Sequence, residues 1–261
     1  MPARCASGTI EGVTVSSDAA GRRIRRVLST RAGGVSTGQY AGFNLGDRVG
    51  DDPEAVARNR ARLADAIGLD QHQLVWMEQV HGRDVQIVTE PPGGPVPMSD
   101  GVVTNQPGLA LNVLTADCIP MLAWDDTAGV IAAVHAGRPG VRLDIGARAI
   151  ERMRELGAEP ARIEVLLGPA ICGKCYEVPA AMQADVEQHA PGASTRTRSG
   201  TPGLDLHAGL VGQLQRAGVE QITVDSRCTA ESSDLYSYRR DATTGRMAAV
   251  IWIDDSNQAA P

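Results

Sequence analysis

The sequence predicts a single α+β domain in which helices and strands are mixed along the chain. Its 261 residues fit one large domain or two small ones. Hydrophobic residues make up 43% of the chain, which suffices for a sizeable core, and that core must be aliphatic because only 3% of the residues are aromatic. Short aliphatic runs and amphipathic segments follow one another without regular alternation, which favours α+β over a doubly wound sheet.

Two segments have the features of amphipathic helices. Residues 51–69 begin with Asp52 as a helix cap and end at Gly68 as a terminator. Residues 143–158 have apolar side chains at helical spacing and a terminating glycine, Gly157. We therefore predict a helix over each segment.

Strands and loops are predicted from shorter patterns. Five aliphatic or β-branched runs predict strands at 109–115, 129–134, 163–167, 222–225 and 247–253. Segments rich in proline and glycine predict long loops at 91–97 and 191–203. The first two predicted strands each lead into a reactive side chain, Cys118 after the first and His135 after the second.

Composition excludes several classes of function. The formal net charge of -6 argues against a nucleic-acid or membrane-surface partner, since both need a basic face. Lys174 is the single lysine, which makes Schiff-base chemistry improbable. Five cysteines, an odd number in a long chain, fit reduced thiols better than a disulfide framework. No apolar run has the length of a signal peptide core or a membrane span, so we expect a cytoplasmic protein.

Three side chains share one local context. His81 in "WMEQVHGRDV", Cys118 in "LTADCIPML" and His135 in "AAVHAGRPG" each lie beside an apolar stretch, and both histidines have a glycine one or two positions later. Glycine at such a place permits a sharp turn and close approach of a ligand. The other histidines resemble surface or early-helix positions: His72, His189 and His207.

The three side chains allow more than one chemistry. Two imidazoles and a thiolate suit zinc, and three protein ligands leave a fourth position for water or substrate. A metal-free cysteine hydrolase, with Cys118 as nucleophile and His135 as base, remains an alternative. "CGKC" at 172–175 is a rival metal motif, but no second cysteine pair stands at zinc-ribbon distance.

Longer motifs make a family resemblance specific. They are "TRAGGVSTGQYAGFNLGDRVGDDPEAVARNRARL" (30–63), "WMEQVHGRDV" (76–85), "DGVVTNQPGLALNVLTADCIPMLAWDDTAGVIAAVHAG" (100–137), "LGPAI" with "CYEVP" (167–179) and "SYRRDATTGRMAAVIW" (237–252). Together they resemble the YfiH-like family. Its members are described as purine nucleoside phosphorylases and, under an older name, as multicopper polyphenol oxidoreductases or laccase-domain proteins.

The resemblance implies one domain of layered mixed sheets over residues 1–261, with its core at about 28–253. It also implies a zinc ion held by His81, Cys118 and His135. The implied reactions are phosphorolysis of adenosine, inosine and methylthioadenosine, with inorganic phosphate as co-substrate, and deamination of adenosine. Some bacterial members are described as peptidoglycan-editing factors, which is a further alternative.

Supporting roles follow from the same motifs. Asp117, beside the ligand cysteine, is expected either to shuttle a proton or to orient a ligand. Arg31 and Arg239 are candidate donors to phosphate, although either could be a surface ion-pair residue. Asn44 and Gln79 are candidate neutral hydrogen-bonding groups for the nucleoside.

One departure from the family pattern concerns phosphate. The family usually reads HAGWRG where this chain reads HAGRPG, so Arg138 stands at the tryptophan position and Pro139 at the arginine position. Proline cannot replace a guanidinium, which is a planar bidentate partner for phosphate. We expect Arg138 to take over part of that recognition, or else to form a surface ion pair with Asp144.

The laccase name can be tested by counting histidines. A multicopper oxidase needs a blue-copper site and a trinuclear cluster, whose histidine ligands outnumber the five histidines of this chain. A four-copper laccase site within one chain is therefore excluded. A single copper on the same three side chains, with Met121 as axial ligand, stays open but ranks below zinc.

Overall fold

The structure, a computed structural model, describes residues 9–10, 13–16 and 24–254, so Cys5 lies outside the described residues. The strands of the first half are β1 Thr9–Ile10, β2 Val13–Ser16, β3 Ile24–Ser29, β4 Leu74–Val75, β5 Val85–Ile87, β6 Gly101–Thr104 and β7 Ala110–Thr115. The later strands are β8 Ile119–Asp125, β9 Val130–Ala136, β10 Glu164–Leu167, β11 Ser194–Arg196, β12 Pro202–Leu204, β13 Gln221–Val224 and β14 Met247–Ile253.

Helices are interspersed among these strands. They are α1 Pro53–Ile67, α2 Arg138–Arg142, α3 Ile145–Glu155, α4 Ala180–His189, α5 Leu206–Arg216 and α6 Tyr238–Asp241. Short 3-10 turns lie at Gly38–Tyr40, Gln71–Gln73 and Pro160–Arg162. None of the helices in the described part of the chain has both the length and the apolar character that crossing a bilayer requires.

Two six-stranded mixed sheets form the centre of the molecule. The first has the order β1-β2-β3-β14-β7-β4 and the second has the order β13-β10-β8-β9-β6-β5. Most neighbours are antiparallel, while β4 with β7, β5 with β6 and β10 with β13 are parallel. The mixed α/β architecture confirms the predicted fold class.

The two sheets bury apolar side chains against each other. Leu111 and Ile251 of the first sheet share one core cluster with Leu122 and Ile131 of the second. Helix α1 covers the outer face of the first sheet, where Leu63 packs. Helices α3 and α5 cover the outer face of the second sheet. The result is a layered arrangement with the main core between the sheets, held by the removal of aliphatic surface from water.

The elements with strong local signals lie where the sequence predicts them. The carboxylate of Asp52 accepts a hydrogen bond from the Glu54 amide at the start of α1, and Gly68 ends that helix with φ 71°. Helix α3 lies within the predicted segment 143–158, and Gly157 follows it with φ 95°. Strands β7, β9, β10, β13 and β14 coincide with the five predicted strands to within two residues at either end.

Two predictions need correction. Strand β9 extends to Ala136, so His135 lies inside the strand rather than after it. The segment 191–203, predicted as a loop, contains β11 and most of β12, which pair as a short hairpin. The Gln183 side chain of α4 donates to the carbonyls of Thr195 and Gly203, and this tertiary support is absent from the local sequence pattern.

Candidate active site

The "TADC" stretch carries the chain from one sheet to the other. Strand β7 belongs to the first sheet and β8 to the second, so residues 116–118 form the crossover. Asp117 has φ 94°, a left-handed conformation that is costly for a residue with a side chain. Its carboxylate accepts hydrogen bonds from Thr229 Oγ1 (2.6 Å), Ser237 Oγ (2.7 Å) and the Arg239 amide (2.6 Å). These contacts hold the crossover in place and position Cys118.

The "QVHG" turn is built around a second carboxylate, that of Asp100. Asp100 is fully buried and precedes β6. Its oxygens accept hydrogen bonds from the amides of His81 (2.9 Å) and Gly82 (2.6 Å). His81 itself has φ 60°, so this turn also places a non-glycine residue in the left-handed region.

Asp100 also fixes the second histidine. His135 Nδ1 lies 2.8 Å from Asp100 Oδ1, and His135 is only 3% exposed. A carboxylate partner on one ring nitrogen orients the ring and leaves the other nitrogen, Nε2, for a ligand. Asp100 is a functional residue that the sequence patterns did not single out. The available signal was an acidic residue directly before an apolar strand, in "SDGVV".

The three side chains singled out by the sequence lie together. One ligand atom from each of His81, Cys118 and His135 falls within 4.8 Å of the other two. Cys118 Sγ lies 3.8 Å from His81 Nε2, and the two imidazole rings are edge-on with centroids 4.7 Å apart. The structure thus brings residues from the "QVHG" turn, the crossover and β9 into one cluster that could hold a metal ion.

A glycine leaves space for this cluster. A Cβ added at Gly137 would lie 2.9 Å from His81 Cδ2 and 3.1 Å from Cys118 Sγ. Gly137 has φ −78°, which any residue can adopt, so the backbone does not demand glycine here. The missing side chain therefore keeps a cradle open beside the three ligand atoms, and the donor set suits a zinc-class ion.

The electrostatics of the cluster favour a thiolate. Burial opposes ionisation of Cys118, but the positive charge of His135 and hydrogen bonds from both histidines outweigh it and lower the pKa of the thiol to about 6. Burial likewise acts to lower the pKa of His135, but Cys118 and Asp100 outweigh it and raise that pKa to about 9. A metal ion bound here would take the place of the imidazolium proton, because a ligating histidine must be neutral.

The cluster opens into a pocket of about 610 Å³. Apolar and aromatic side chains form part of its wall, namely Met77, Leu114, Ile171, Tyr176, Leu206 and Tyr238. Four arginines also line it: Arg48, Arg138, Arg239 and Arg246. A concave, partly apolar site with converging cations suits a ligand that has both a flat apolar part and an anionic part.

The predicted binding residues divide into two groups. Gln79, Arg138 and Arg239 line the pocket. The amide of Gln79 is engaged at both ends, because Nε2 donates to the Leu114 carbonyl and Oε1 accepts from the Leu114 amide, each at 2.8 Å. The Arg239 guanidinium donates to the Glu177 carbonyl (3.0 Å). Gln79 therefore fixes the end of β7 at the pocket wall.

Arg31 and Asn44 do not contribute to the pocket lining. The Arg31 guanidinium lies over the ring of Tyr236, 4.8 Å from its centroid. Asn44 is fully buried, donates to Asp51 (2.8 Å) and accepts from the Arg246 amide (2.8 Å). Its contact with Arg246 positions an arginine that does line the pocket.

The sequence patterns did not single out several pocket residues, among them Arg48, Tyr176 and Arg246. Burial lowers the pKa of Arg246, although nearby acidic groups oppose that shift. Burial raises the pKa of Tyr176, while Arg138 and Arg239 act against the rise. All three lie inside quoted motifs, but no pattern in those motifs separates pocket arginines from surface arginines.

Met121 does not approach the cluster. In the β8–β9 pairing Pro120 stands opposite His135, and Met121 stands opposite Val134. Since side chains alternate along strands, Met121 points to the other face, where it lies fully buried in the core beneath α3 and α5. The prediction that Met121 could serve as an axial ligand to a copper ion is therefore wrong.

The chain is similar to known proteins in family, in sequence and in structure. Residues 25–254 match the family model described as "multi-copper polyphenol oxidoreductase laccase". A purine nucleoside phosphorylase of Corynebacterium glutamicum is 55% identical over 240 residues, covering 91% of this chain and 98% of that protein. A purine nucleoside phosphorylase of Mycobacterium tuberculosis is 55% identical over 232 residues, covering 89% of this chain and 93% of that protein.

Solved structures share the fold. YlmD from Geobacillus stearothermophilus superposes with a TM-score of 0.84 at 35% identity, covering 89% of this chain and 93% of its own. The YfiH protein of Bacillus licheniformis has a TM-score of 0.83 at 31% identity, covering 88% of this chain and 93% of its own. The layered mixed sheets are thus shared with these proteins.

Proposed function

The chain belongs to the multi-copper polyphenol oxidoreductase laccase family, and we propose that it is a zinc-dependent purine nucleoside phosphorylase. The proposed substrates are adenosine, inosine and methylthioadenosine, with inorganic phosphate as co-substrate, and adenosine is also deaminated. The names of relatives that share more than half of their residues with this chain support phosphorolysis.

One observation carries the proposal. A cluster of two histidines and a cysteine lies in a pocket lined by four arginines, within a protein of net charge -6. Anionic co-substrates entering such a protein need local positive charge, and guanidinium groups match phosphate oxygens. A phosphorylase requires such a set of arginines because it must bind phosphate. Oxidation by copper has no anionic co-substrate for them to bind.

His81, Cys118 and His135 would hold the zinc ion. Bound there, zinc supplies Lewis acidity and lowers the pKa of a coordinated water towards about 7, the chemistry that deamination needs. Asp100 holds the His135 ring by Nδ1 and shapes the "QVHG" turn through the His81 amide. The carboxylate thus fixes two ligands at once.

The pocket wall orients the nucleoside and the phosphate. Phosphorolysis requires phosphate to attack the anomeric carbon while the purine departs. Arg138, Arg239 and Arg246 would bind the phosphate and offset its negative charge as it approaches the anomeric carbon. Tyr176 and Ile171 offer an apolar face to the purine base.

Asp117 acts as a positioning residue in this proposal. Two hydroxyls and one amide already donate to its carboxylate. A group engaged in this way is poorly suited to carry protons during turnover, but it holds Cys118 at the correct place in the crossover. This favours ligand orientation over the proton-shuttle alternative.

Assays of purified protein with quantified metal test the function. Adenosine and inosine are each supplied with and without phosphate, and products are separated by chromatography. We expect free base and a sugar 1-phosphate only with phosphate, and inosine from adenosine without it. Base release without phosphate would contradict a phosphorylase.

Metal removal separates zinc catalysis from the cysteine hydrolase alternative. We expect chelation to abolish turnover, zinc addition to restore it, and bound zinc to protect Cys118 from alkylation. Cys118→Ala should lose both this metal and turnover. Full activity in metal-free protein that is then destroyed by alkylation would support the hydrolase instead.

A further inference from the structure

A second group of potential ligands lies in a different part of the chain. Cys172, Cys175, Cys228 and Glu231 each place a ligand atom within 4.8 Å of the others. The Cys175 thiol donates to Glu231 Oε1 at 3.2 Å, and the Cys172 amide donates to Cys228 Sγ at 3.3 Å. These three cysteines are free thiols. The sequence offers "CGKC" at 172–175 as a rival metal motif, but no second cysteine pair stands at zinc-ribbon distance.

The two segments that supply these ligands are ordered by backbone contacts. The amides of Cys175 (2.9 Å) and Tyr176 (3.0 Å) both donate to the Cys172 carbonyl, which closes a tight turn. A Cβ at Gly173 would lie 2.7 Å from Thr195 Cγ2, so this turn packs closely against the β11–β12 hairpin. A second turn is closed by the Glu231 amide, which donates to the Cys228 carbonyl (3.1 Å).

We propose that Cys172, Cys175, Cys228 and Glu231 form a second zinc site, with a structural role. Zinc prefers four tetrahedral ligands in structural sites, and this group supplies three sulfurs and one carboxylate. Zinc–sulfur bonds of about 2.3 Å place ligand sulfurs about 3.8 Å apart, and the present spacing of at most 4.8 Å needs little closure to reach that. Thiolates also select zinc over the hard cations magnesium and calcium.

The surroundings fit a negatively charged metal centre. Three thiolates and a carboxylate exceed the charge of one zinc ion, so a nearby cation would stabilise the site. Arg198 forms an ion pair with Glu231, and the Cys172 amide is directed at the Cys228 sulfur. Both contacts stabilise negative charge on ligands, as outer partners do in metal sites.

The proposed site braces the pocket without taking part in the chemistry. Tyr176, which lines the pocket, directly follows Cys175. Thr229, which follows Cys228, donates to Asp117 in the crossover. A metal joining these two segments would hold one wall of the pocket against the crossover. Zinc binding at this second site would not depend on which reaction the pocket performs.

Zinc content measured by mass spectrometry tests the proposal, on protein purified with a reducing agent and without chelator. We expect two zinc ions per chain in the wild type and one in Cys118→Ser, in which the remaining ion reports the second site. The double variant Cys172→Ser/Cys175→Ser should also bind one zinc ion. The triple variant Cys118→Ser/Cys172→Ser/Cys175→Ser should bind none. Cys5→Ser, which removes a thiol outside the proposed ligand set, should retain two.

Cobalt absorption tests the second site without changing its cysteines, so it remains informative if the double variant fails to fold. Cys118→Ser loaded with cobalt should show strong sulfur-to-cobalt charge-transfer absorption, because three thiolates remain. Adding Glu231→Gln to Cys118→Ser should keep that absorption and weaken zinc binding at least about tenfold, because losing a direct ligand costs no less than changing a partner of a ligand. Zinc absent from Cys118→Ser together with a blank cobalt spectrum would overturn the proposal. So would a loss of two titratable thiols to a disulfide under the same reducing conditions.

Discussion

Asp100 organises two histidines from separate parts of the chain. Burial acts to raise the pKa of this carboxyl, but hydrogen bonds from His135 and the Gly82 amide outweigh burial and lower the pKa. The carboxylate is therefore charged at neutral pH and can accept several donors at once. A buried charge of this kind is tolerated because nearly every acceptor position is used.

Asp100→Asn is expected to weaken zinc binding about 10- to 100-fold, the range for partners of metal ligands. An amide has one acceptor oxygen, so it cannot satisfy His135 and the turn amides together. Zinc affinity is measured by competition with a chelator, and the exposed Asp84→Asn serves as the control. Equal affinity in Asp100→Asn and wild type would show that the carboxylate does not act on the metal.

Arg138→Ala is expected to raise the apparent KM for phosphate roughly 10- to 150-fold, because a charged hydrogen bond is worth about 1.5–3 kcal/mol. Arg138 lines the pocket, which favours phosphate recognition over the surface ion pair with Asp144. Zinc content should not change. Phosphate titrations of initial rates provide the measurement.

Arg142→Ala is the matched control for that variant. Arg142 lies on the same short helix, outside the pocket lining, and pairs with Asp185 at 2.9 Å. It should leave the phosphate KM unchanged. If both variants behave like the wild type, phosphate must be recognised by the other pocket arginines.

Among the elements, the junctions between strands and helices decide the site. Strand β9 supplies His135, ends at Ala136, and passes through Gly137 into α2, which begins with Arg138. Within four residues the chain thus contributes a potential metal ligand, the open cradle and a pocket arginine. Several functional residues can lie at one junction because the rigid strand fixes the positions of the residues that follow it.

Gly137→Ala tests the cradle. The added methyl would contact His81 and Cys118 too closely, and the resulting strain is on the order of 1–3 kcal/mol. We expect reduced zinc content with retained circular dichroism, because the backbone at Gly137 tolerates alanine. Gly94→Ala, where a Cβ meets open space, is the control. Full zinc occupancy in Gly137→Ala would contradict the role assigned to this glycine.

Asp125 closes the far end of β8 and fixes the turns around it. The carboxylate is 1% exposed and accepts from the amides of Thr127 (2.9 Å), Ala128 (3.0 Å) and Glu159 (3.0 Å). Burial acts to raise its pKa, but the amides of Glu159 and Ala128 and the Arg162 guanidinium outweigh burial and lower it. The charged form is therefore stabilised in the folded state.

Asp125→Asn should lower the free energy of unfolding by about 1–3 kcal/mol at pH 7. A lowered folded-state pKa gives stability that is present above the unfolded pKa of about 3.9 and is lost as pH falls through the folded value. The difference between wild type and variant should therefore shrink below about pH 4. Urea unfolding at several pH values measures it, with the exposed Asp65→Asn as control. A difference that is constant with pH would rule out the charge as its cause.

Across the whole molecule, the two sheets depend on one shared core. The inter-sheet cluster joins residues of both sheets, so neither sheet buries its inner face alone. We therefore expect residues 24–254 to unfold as one cooperative unit, which is the behaviour of a single domain.

Leu122→Ala tests whether the two sheets unfold together. Leu122 is fully buried between the sheets, and its truncation should cost about 2–5 kcal/mol. Far-ultraviolet circular dichroism and tryptophan fluorescence should report one coincident transition, shifted equally by the variant. Val224→Ala, at a position 40% exposed, should change little. Two separate transitions would indicate two domains.

The sequence by itself determined those features that depend only on residues close together in the chain. Caps and periodicity predicted α1 and α3, because helix ends and faces are set within a few residues. Local context selected His81, Cys118 and His135, because each lies beside an apolar stretch and carries ligating chemistry. The tertiary structure decided the remaining features.

Contacts between distant residues depend on strand order and register, which periodicity does not specify. Only the folded chain places Asp100 against both histidines and brings Arg246 to the pocket while Asn44 stays behind it. Only the folded chain joins Glu231 to the "CGKC" turn. These pairs are separated by tens to hundreds of residues, and their meeting is a property of how two sheets pack, not of any segment.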